Sequence, residues 1–290
     1  MSSAPPPSLP PRPELPEGVQ RAQPPARRDW EDKVPLWTPF AVALAAFVMA
    51  GIAYVVIVAV AGLSGEEAEN APGPLLGATL VQDLLLIGGA AVAVRLAVQR
   101  DPAGALGIRR TRIGPAIGWG LAVLVTYWIS TGLVVSIFGD PPDQEITEEI
   151  KEETAAIAIA GYIAVTCLLA PLAEEVFFRG FLFPLMRSRF GIAAGVIVTG
   201  ALFSLVHALG SPPEALIVLF VLGAGLCLLY LRTGSLLPCI GLHALNNAIA
   251  FAATKEMAWS VALVTVVGSV VVSVAIATAF LRSGERAVAG

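Results

Sequence analysis

The sequence predicts an all-α fold, a polytopic membrane bundle of about eight transmembrane helices that enclose a polar site near the middle of the membrane. Three observations support this prediction. Charged residues make up only 14% of the 290 residues and hydrophobic residues 56%, whereas a soluble domain has about 25% charged residues. Long apolar segments recur along the chain, and the positive charges between them fall almost entirely on alternate connections.

The apolar segments are long enough to cross a bilayer, which takes about 20 residues. We predict spans at 35–63, 75–98, 114–138, 155–187, 190–209, 215–231, 235–253 and 258–281. The fourth span is long and contains Pro171, so a kink or a strong tilt is expected there.

The flanking segments are not typical of membrane spans. Residues 1–33 are rich in proline and charge, which predicts a disordered cytoplasmic tail and no cleavable signal. Residues 34–282 are predicted to form the membrane domain, and residues 283–290 a short cytoplasmic tail.

The distribution of Lys and Arg predicts the orientation in the membrane. Of the 18 Lys and Arg residues, 15 lie in the tails or in the connections that follow spans two, four, six and eight. Lys151 and Lys255 lie on the other side, and Arg179 lies inside a span. The positive-inside rule therefore places both termini in the cytoplasm.

A few ionisable side chains lie inside the predicted spans, where each costs several kcal/mol and usually marks function. Neutral polar residues accompany them. The set is Asp83, Glu174, Glu175, Arg179, His207 and His243, with Gln82, Asn246 and Asn247. Both histidines of the chain belong to it, but Asp83 has no partner that the sequence identifies.

The fourth span carries an acidic pair. Glu175 and Arg179 are four residues apart, so they share a helix face and can offset each other's desolvation. Glu174 is rotated by about 100° and lacks a local cation, which suits a general base. Alternatively, all three side chains form one structural ion cluster.

The two histidines lie on other spans at a similar depth. His243 and Asn247 share a helix face, while Asn246 is expected to point elsewhere. At 1.5 Å per residue, Glu174, His207, His243 and Asn247 all lie about 12 to 26 Å from the cytoplasmic ends of their spans. We therefore predict that these four side chains converge on one cavity.

This set of side chains is suited to activating water. A carboxylate can accept a proton from water, and imidazole and amide groups can stabilise an oxyanion. Alternatively, Glu174, His207 and His243 are candidate ligands for a divalent metal such as zinc, which would acidify bound water. The spacing leaves both routes open, and Ser204 is a weak candidate nucleophile.

Three motifs occur in order on successive hydrophobic segments: Glu174-Glu175…Arg179, Phe203…His207 and His243…Asn247. This order resembles the CAAX protease and bacteriocin-processing family of intramembrane endopeptidases, also called Abi-like, over roughly residues 110–255. The resemblance implies an eight-helix fold in which Glu174 and His207 activate water. It further implies that His243 and Asn247 stabilise the oxyanion, with Glu175 and Arg179 supporting the site.

The resulting hypothesis is an intramembrane endopeptidase that cleaves a membrane-associated or lipidated peptide. Its partners would be that peptide substrate and the lipid bilayer, with no nucleic acid, and its location a bacterial cell membrane. Two alternatives use the same residues: a proton- or ion-coupled transporter, and a non-catalytic immunity or partner protein.

Overall fold

The computed structural model describes residues 28–98, 102–139 and 145–289, and these residues form helices joined by short connections, without any β-strand. The helices are α1 (Thr38–Ala61), α2 (Glu66–Glu69), α3 (Pro72–Val98), α4 (Pro102–Leu106), α5 (Ile113–Phe138), α6 (Glu145–Glu152), α7 (Ala156–Leu205), α8 (Pro213–Thr233), α9 (Leu237–Thr254) and α10 (Trp259–Ala289). The predicted all-α fold is confirmed.

Seven of these helices are long and apolar enough to cross a membrane, counted over the described residues. The longest, α7, has 50 residues and contains both the fourth and the fifth predicted spans. It is divided at Gly191, where φ is 84° and ψ is 174°, a left-handed conformation that favours glycine. The chain is therefore an integral, multi-pass membrane protein.

The first arm of α7, which precedes Gly191, lies at the centre of the bundle. The main buried cluster is built around it and includes Phe178, Phe181 and Leu185, which are at most 3% exposed. Apolar side chains on outer helices are exposed, such as Val60 at 83% and Ile137 at 70%. This inverted pattern is expected where lipid replaces water around a bundle.

Two stretches of the first arm are π-helical, Ile163–Leu169 and Glu175–Leu182. Pro171 and Pro184 follow them, and a proline removes a backbone N–H donor and clashes with the preceding turn. A wider turn accommodates this defect, and π-helical turns are frequent at functional sites. Pro171 thus lies between two π-helical stretches, and the kink or strong tilt predicted there stays a prediction.

Of the segment predicted as a disordered tail, residues 28–33 are described, and they are docked on the bundle. The side chains of Trp30 and Glu31 are at most 1% exposed, and the Trp30 indole donates a hydrogen bond to the Ala105 carbonyl at 3.1 Å. Burial of a large aromatic ring favours this docked position. Residues 1–27 lie outside the described residues.

The connections form two chemically different ends. The basic end carries Arg28, Arg95, Arg109, Arg110, Arg112, Arg187, Arg189 and Arg232; the acidic end carries Glu66, Glu67, Glu148, Glu149, Glu152 and Glu153, with Lys151 and Lys255. Contacts join the connections at each end, such as Arg109 Nε to the Gly234 carbonyl at 2.6 Å and Lys255 Nζ to the Glu153 carbonyl at 2.6 Å. The last helix continues to Ala289, through the segment predicted as a short tail.

Candidate active site

A buried ion pair forms the inner wall of the site. Arg179 Nη1 donates to Glu175 Oε1 at 2.7 Å, and both side chains are fully buried. Arg179 Nη2 donates to the Gly223 carbonyl at 3.0 Å, and the guanidinium lies 4.4 Å from the centre of the Phe203 ring. These contacts offset the cost of burying the charges, and the predicted shared face of Glu175 and Arg179 is observed.

The same carboxylate orients His243. Its Nδ1 lies 2.9 Å from Glu175 Oε1, and an ionised carboxylate can only accept, so Nδ1 carries the proton. The other ring nitrogen, Nε2, then lies 3.9 Å from Glu174 Oε2. Glu175 and Arg179 therefore fix the tautomer and the direction of His243.

His207 approaches Glu174 from beyond the far end of the same helix, α7. The sequence placed it within a span at 190–209, but the helix ends at Leu205 and His207 lies in the turn that follows. Its Nδ1 is 2.8 Å from the Phe203 carbonyl, which can only accept, so Nδ1 is the protonated nitrogen. Its Nε2 lies 4.0 Å from Glu174 Oε1, so both imidazoles turn Nε2 towards one carboxylate.

Glu174 is the side chain on which these contacts converge. It is 15% exposed, and its Oε2 has no hydrogen-bond partner. It borders two cavities, a first of about 400 Å³ and a second of about 240 Å³. Both cavities are lined by Thr166, Glu174 and His207, and the second also by His243 and Asn247. The four predicted residues thus share one cavity.

Asn247 is held by a backbone group of the first arm. Its Nδ2 donates to the Thr166 carbonyl at 3.0 Å. Thr166 lies in a π-helical stretch, and its partner five residues later is Pro171, which has no N–H to offer. One amide hydrogen of Asn247 is left for another acceptor. Asn246, predicted to point elsewhere, also lines the second cavity.

Phe203 has a role that the sequence did not reveal. Its ring centre lies 5.2 Å from that of His207 and 5.7 Å from that of His243, in addition to its contact with Arg179. It therefore spaces the two imidazoles and covers the buried cation. Gln82, one of the polar residues noted in the sequence, also lines the first cavity. Thr166 is a further cavity residue that α-helical spacing could not identify, because the π-helical stretch around it changes which residues share a face.

Two other polar residues lie beside this arrangement. Ser204 Oγ donates to the Leu216 carbonyl at 2.6 Å, so its hydroxyl is engaged with a neighbouring helix instead of with His207. Asp83 is 2% exposed and neither of its carboxylate oxygens has a hydrogen-bond partner. It is close enough to Glu174 for the two carboxylates to interact electrostatically.

The candidate metal ligands Glu174, His207 and His243 supply donor atoms of the types that bind zinc. However, no group of three or more His, Cys, Asp or Glu side chains is arranged to hold a metal ion in the part of the chain that the structure describes. The same side chains can also transfer protons among themselves and to bound water.

One comparison with known proteins gives a match, and it falls on the stretch of the chain that builds this site. The family model described as Rce1-like, type II CAAX prenyl endopeptidase Rce1-like, matches residues 156–249. No curated protein and no solved structure matches the chain. The match supports endopeptidase activity within the membrane and covers all three motifs. Over the stretch that builds the site, this membrane protein is therefore similar to the Rce1-like type II CAAX prenyl endopeptidases, which confirms the resemblance predicted from its motifs.

Proposed function

We propose that this protein is an intramembrane endopeptidase that hydrolyses a peptide bond of a membrane-associated or lipidated peptide, using water activated by Glu174 and His207. The observation that carries the proposal is the convergence on Glu174. Two imidazole Nε2 atoms lie 3.9 and 4.0 Å from its carboxylate oxygens, beside cavities of about 400 and 240 Å³.

In the first step, water attacks the peptide carbonyl carbon while Glu174, assisted by His207, accepts the water proton. The carbonyl π electrons move to oxygen and create an oxyanion. His243 Nε2–H and the free amide hydrogen of Asn247 stabilise this charge. For that role His243 must carry two protons, and the Glu175 carboxylate on its Nδ1 stabilises the imidazolium.

In the second step, the tetrahedral intermediate collapses. The C–N bond breaks, and the proton taken from water passes to the leaving amine from Glu174 or His207. The products are one carboxylic acid and one amine, so the reaction consumes one water and leaves the side chains unchanged. Arg179 stays paired with Glu175 throughout and acts as a positioning residue.

The test is cleavage of a mixture of quenched fluorescent peptides by the detergent-purified protein. Wild-type protein should release fluorescence, and in water enriched in the heavy oxygen isotope each new carboxyl group should gain one heavy atom. His207→Ala should lower the rate by about 10²–10⁴-fold while the protein stays folded. A transporter or a non-catalytic partner protein would leave every peptide intact, which would refute the proposal.

Adding a chelator to the same assay decides between the two routes left open by the sequence. The mechanism above predicts an unchanged rate after metal removal. A loss of cleavage that zinc restores would instead assign Glu174, His207 and His243 as metal ligands.

A further inference from the structure

The site is closed towards the basic end of the bundle. Every residue from Glu175 to Met186 is buried, which covers the first arm of α7 from the site almost to Arg187. Across the site, exposure of the side chains increases away from this buried stretch: Glu175 is 0%, Glu174 15% and His207 29% exposed. Water and substrate therefore meet the site on one flank.

The docked N-terminal segment completes the closure. The Trp30 ring lies 5.8 Å from the ring of Phe181, and Arg28 Nη1 donates to the carbonyls of Ala105 at 2.8 Å and Gly180 at 3.3 Å. In an α-helix, Pro184 would leave the Gly180 carbonyl without its usual donor. Arg28 satisfies this carbonyl from the basic end.

Both cavities that reach Glu174 extend to the acidic end. The first is bordered by Gly210 and Ser211, in the connection between α7 and α8. The second is bordered by Thr147 of α6 and by Thr254, the last residue of α9. Among the residues lining the two cavities, none belongs to a connection of the basic end.

Charge assigns the two ends to the two sides of the membrane. The basic end holds eight described arginines, in its connections and in the helix turns beside them, while Lys151 and Lys255 lie among glutamates at the acidic end. Positively charged connections stay in the cytoplasm. The open end of the site then faces away from the cytoplasm.

We propose that this site receives its substrate from the non-cytoplasmic side of the membrane, as a peptide segment that has been exported or that lies in that half of the bilayer. This inference rests on the proposed function. A substrate confined to the cytoplasm would meet the packed segment of residues 175–186 and the docked Trp30 instead of Glu174.

Cysteine labelling tests the direction of access without any substrate. The three native cysteines are buried and free, so the unsubstituted protein serves as the blank. A membrane-impermeant maleimide is applied to spheroplasts and to inverted vesicles bearing Gln82→Cys, deep in the first cavity, or Ser211→Cys, at its rim. Arg110→Cys, exposed at the basic end, is the matched control.

We expect both cavity variants to be labelled in spheroplasts on the order of tenfold faster than in inverted vesicles, because a charged reagent crosses hydrocarbon slowly. Arg110→Cys should show the opposite preference. Faster labelling of Gln82→Cys from the cytoplasmic side, or none from either side while the unfolded protein is labelled, would overturn the inference.

Cleavage supplies the second measurement. An impermeant mixture of quenched fluorescent peptides should be cut by spheroplasts and left intact by sealed inverted vesicles. Cutting by inverted vesicles alone would overturn the inferred direction and leave the endopeptidase assignment intact. Failure to cut any peptide in detergent would remove the endopeptidase assignment, while the labelling result would still decide which side the cavity faces.

Discussion

Residues 163–174 and 175–186 belong to the same arm of one helix, yet they differ in burial and in the role of their polar side chains. The second stretch is buried throughout, whereas the first alternates between buried and partly exposed residues. Glu174 and Glu175 stand on either side of this boundary. Glu175 holds both Arg179 and His243 through its Oε1 atom. Glu174 faces two cavities, with the imidazole Nε2 atoms 4.0 and 3.9 Å from its oxygens. We therefore expect Glu174 to carry out proton transfer and Glu175 to hold His243 and Arg179 in place.

The largest expected effect follows from removing the charge of Glu174. Glu174→Gln keeps the shape of the side chain but cannot accept a proton, so cleavage should fall by about 10²–10⁴-fold. Thermal unfolding should change little, because Glu174 has no ion pair with Arg or Lys in the described structure. Cleavage at the wild-type rate would show that Glu174 is not the proton acceptor.

Glu175→Gln should act chiefly on stability. It leaves the fully buried Arg179 without its counter-ion, and breaking a buried pair in this way costs about 3–5 kcal/mol. We expect a lower unfolding temperature and less folded protein in detergent, together with slower cleavage because His243 loses its carboxylate.

The double variant Glu175→Gln/Arg179→Met is the matched control for this change. Removing both charges should recover much of the stability without restoring the cleavage rate. Recovery of both properties would show that Glu175 does not position His243.

Asn247→Ala tests the contact between α9 and the partly exposed stretch, residues 163–174. Loss of one oxyanion donor should lower the rate by about 10²–10³-fold, and the unpaired Thr166 carbonyl should cost about 1–3 kcal/mol in unfolding free energy. The neighbouring Asn246→Ala is the control and should have a much smaller effect on rate. Equal losses for both variants would argue against a specific role for Asn247.

The smallest effect is expected from Arg28→Ala. Its hydrogen bonds to the Ala105 and Gly180 carbonyls support the buried stretch from the basic end, and charged hydrogen bonds contribute about 1.5–3 kcal/mol. We expect a lower unfolding temperature with nearly unchanged cleavage in detergent. A collapse of activity at full stability would instead connect this segment directly to the chemistry.

The sequence could predict which side chains would meet at one cavity, because each is a polar or ionisable residue that is costly to place in an apolar segment. It could not predict the π-helical stretches, since Pro171 indicates a defect but not how the helix absorbs it. His207 lies beyond its helix because a Gly-Ser-Pro-Pro turn follows, which hydropathy does not detect. Trp30 was missed because the composition around it is polar, although one buried aromatic ring is enough to dock a short segment.

The π-helical stretches also bear on how this chain can change during evolution. A wide turn of this kind holds one residue more than the α-helical turn it replaces. Deleting a single residue between 163 and 169 would return this turn to α-helical geometry without turning the residues after it to another face. A deletion in an α-helical part of the arm would instead rotate everything after it by about 100° and take Glu174 out of the cavity. Related sequences should therefore vary in length at the π-helical stretches more readily than in the α-helical turns beside them.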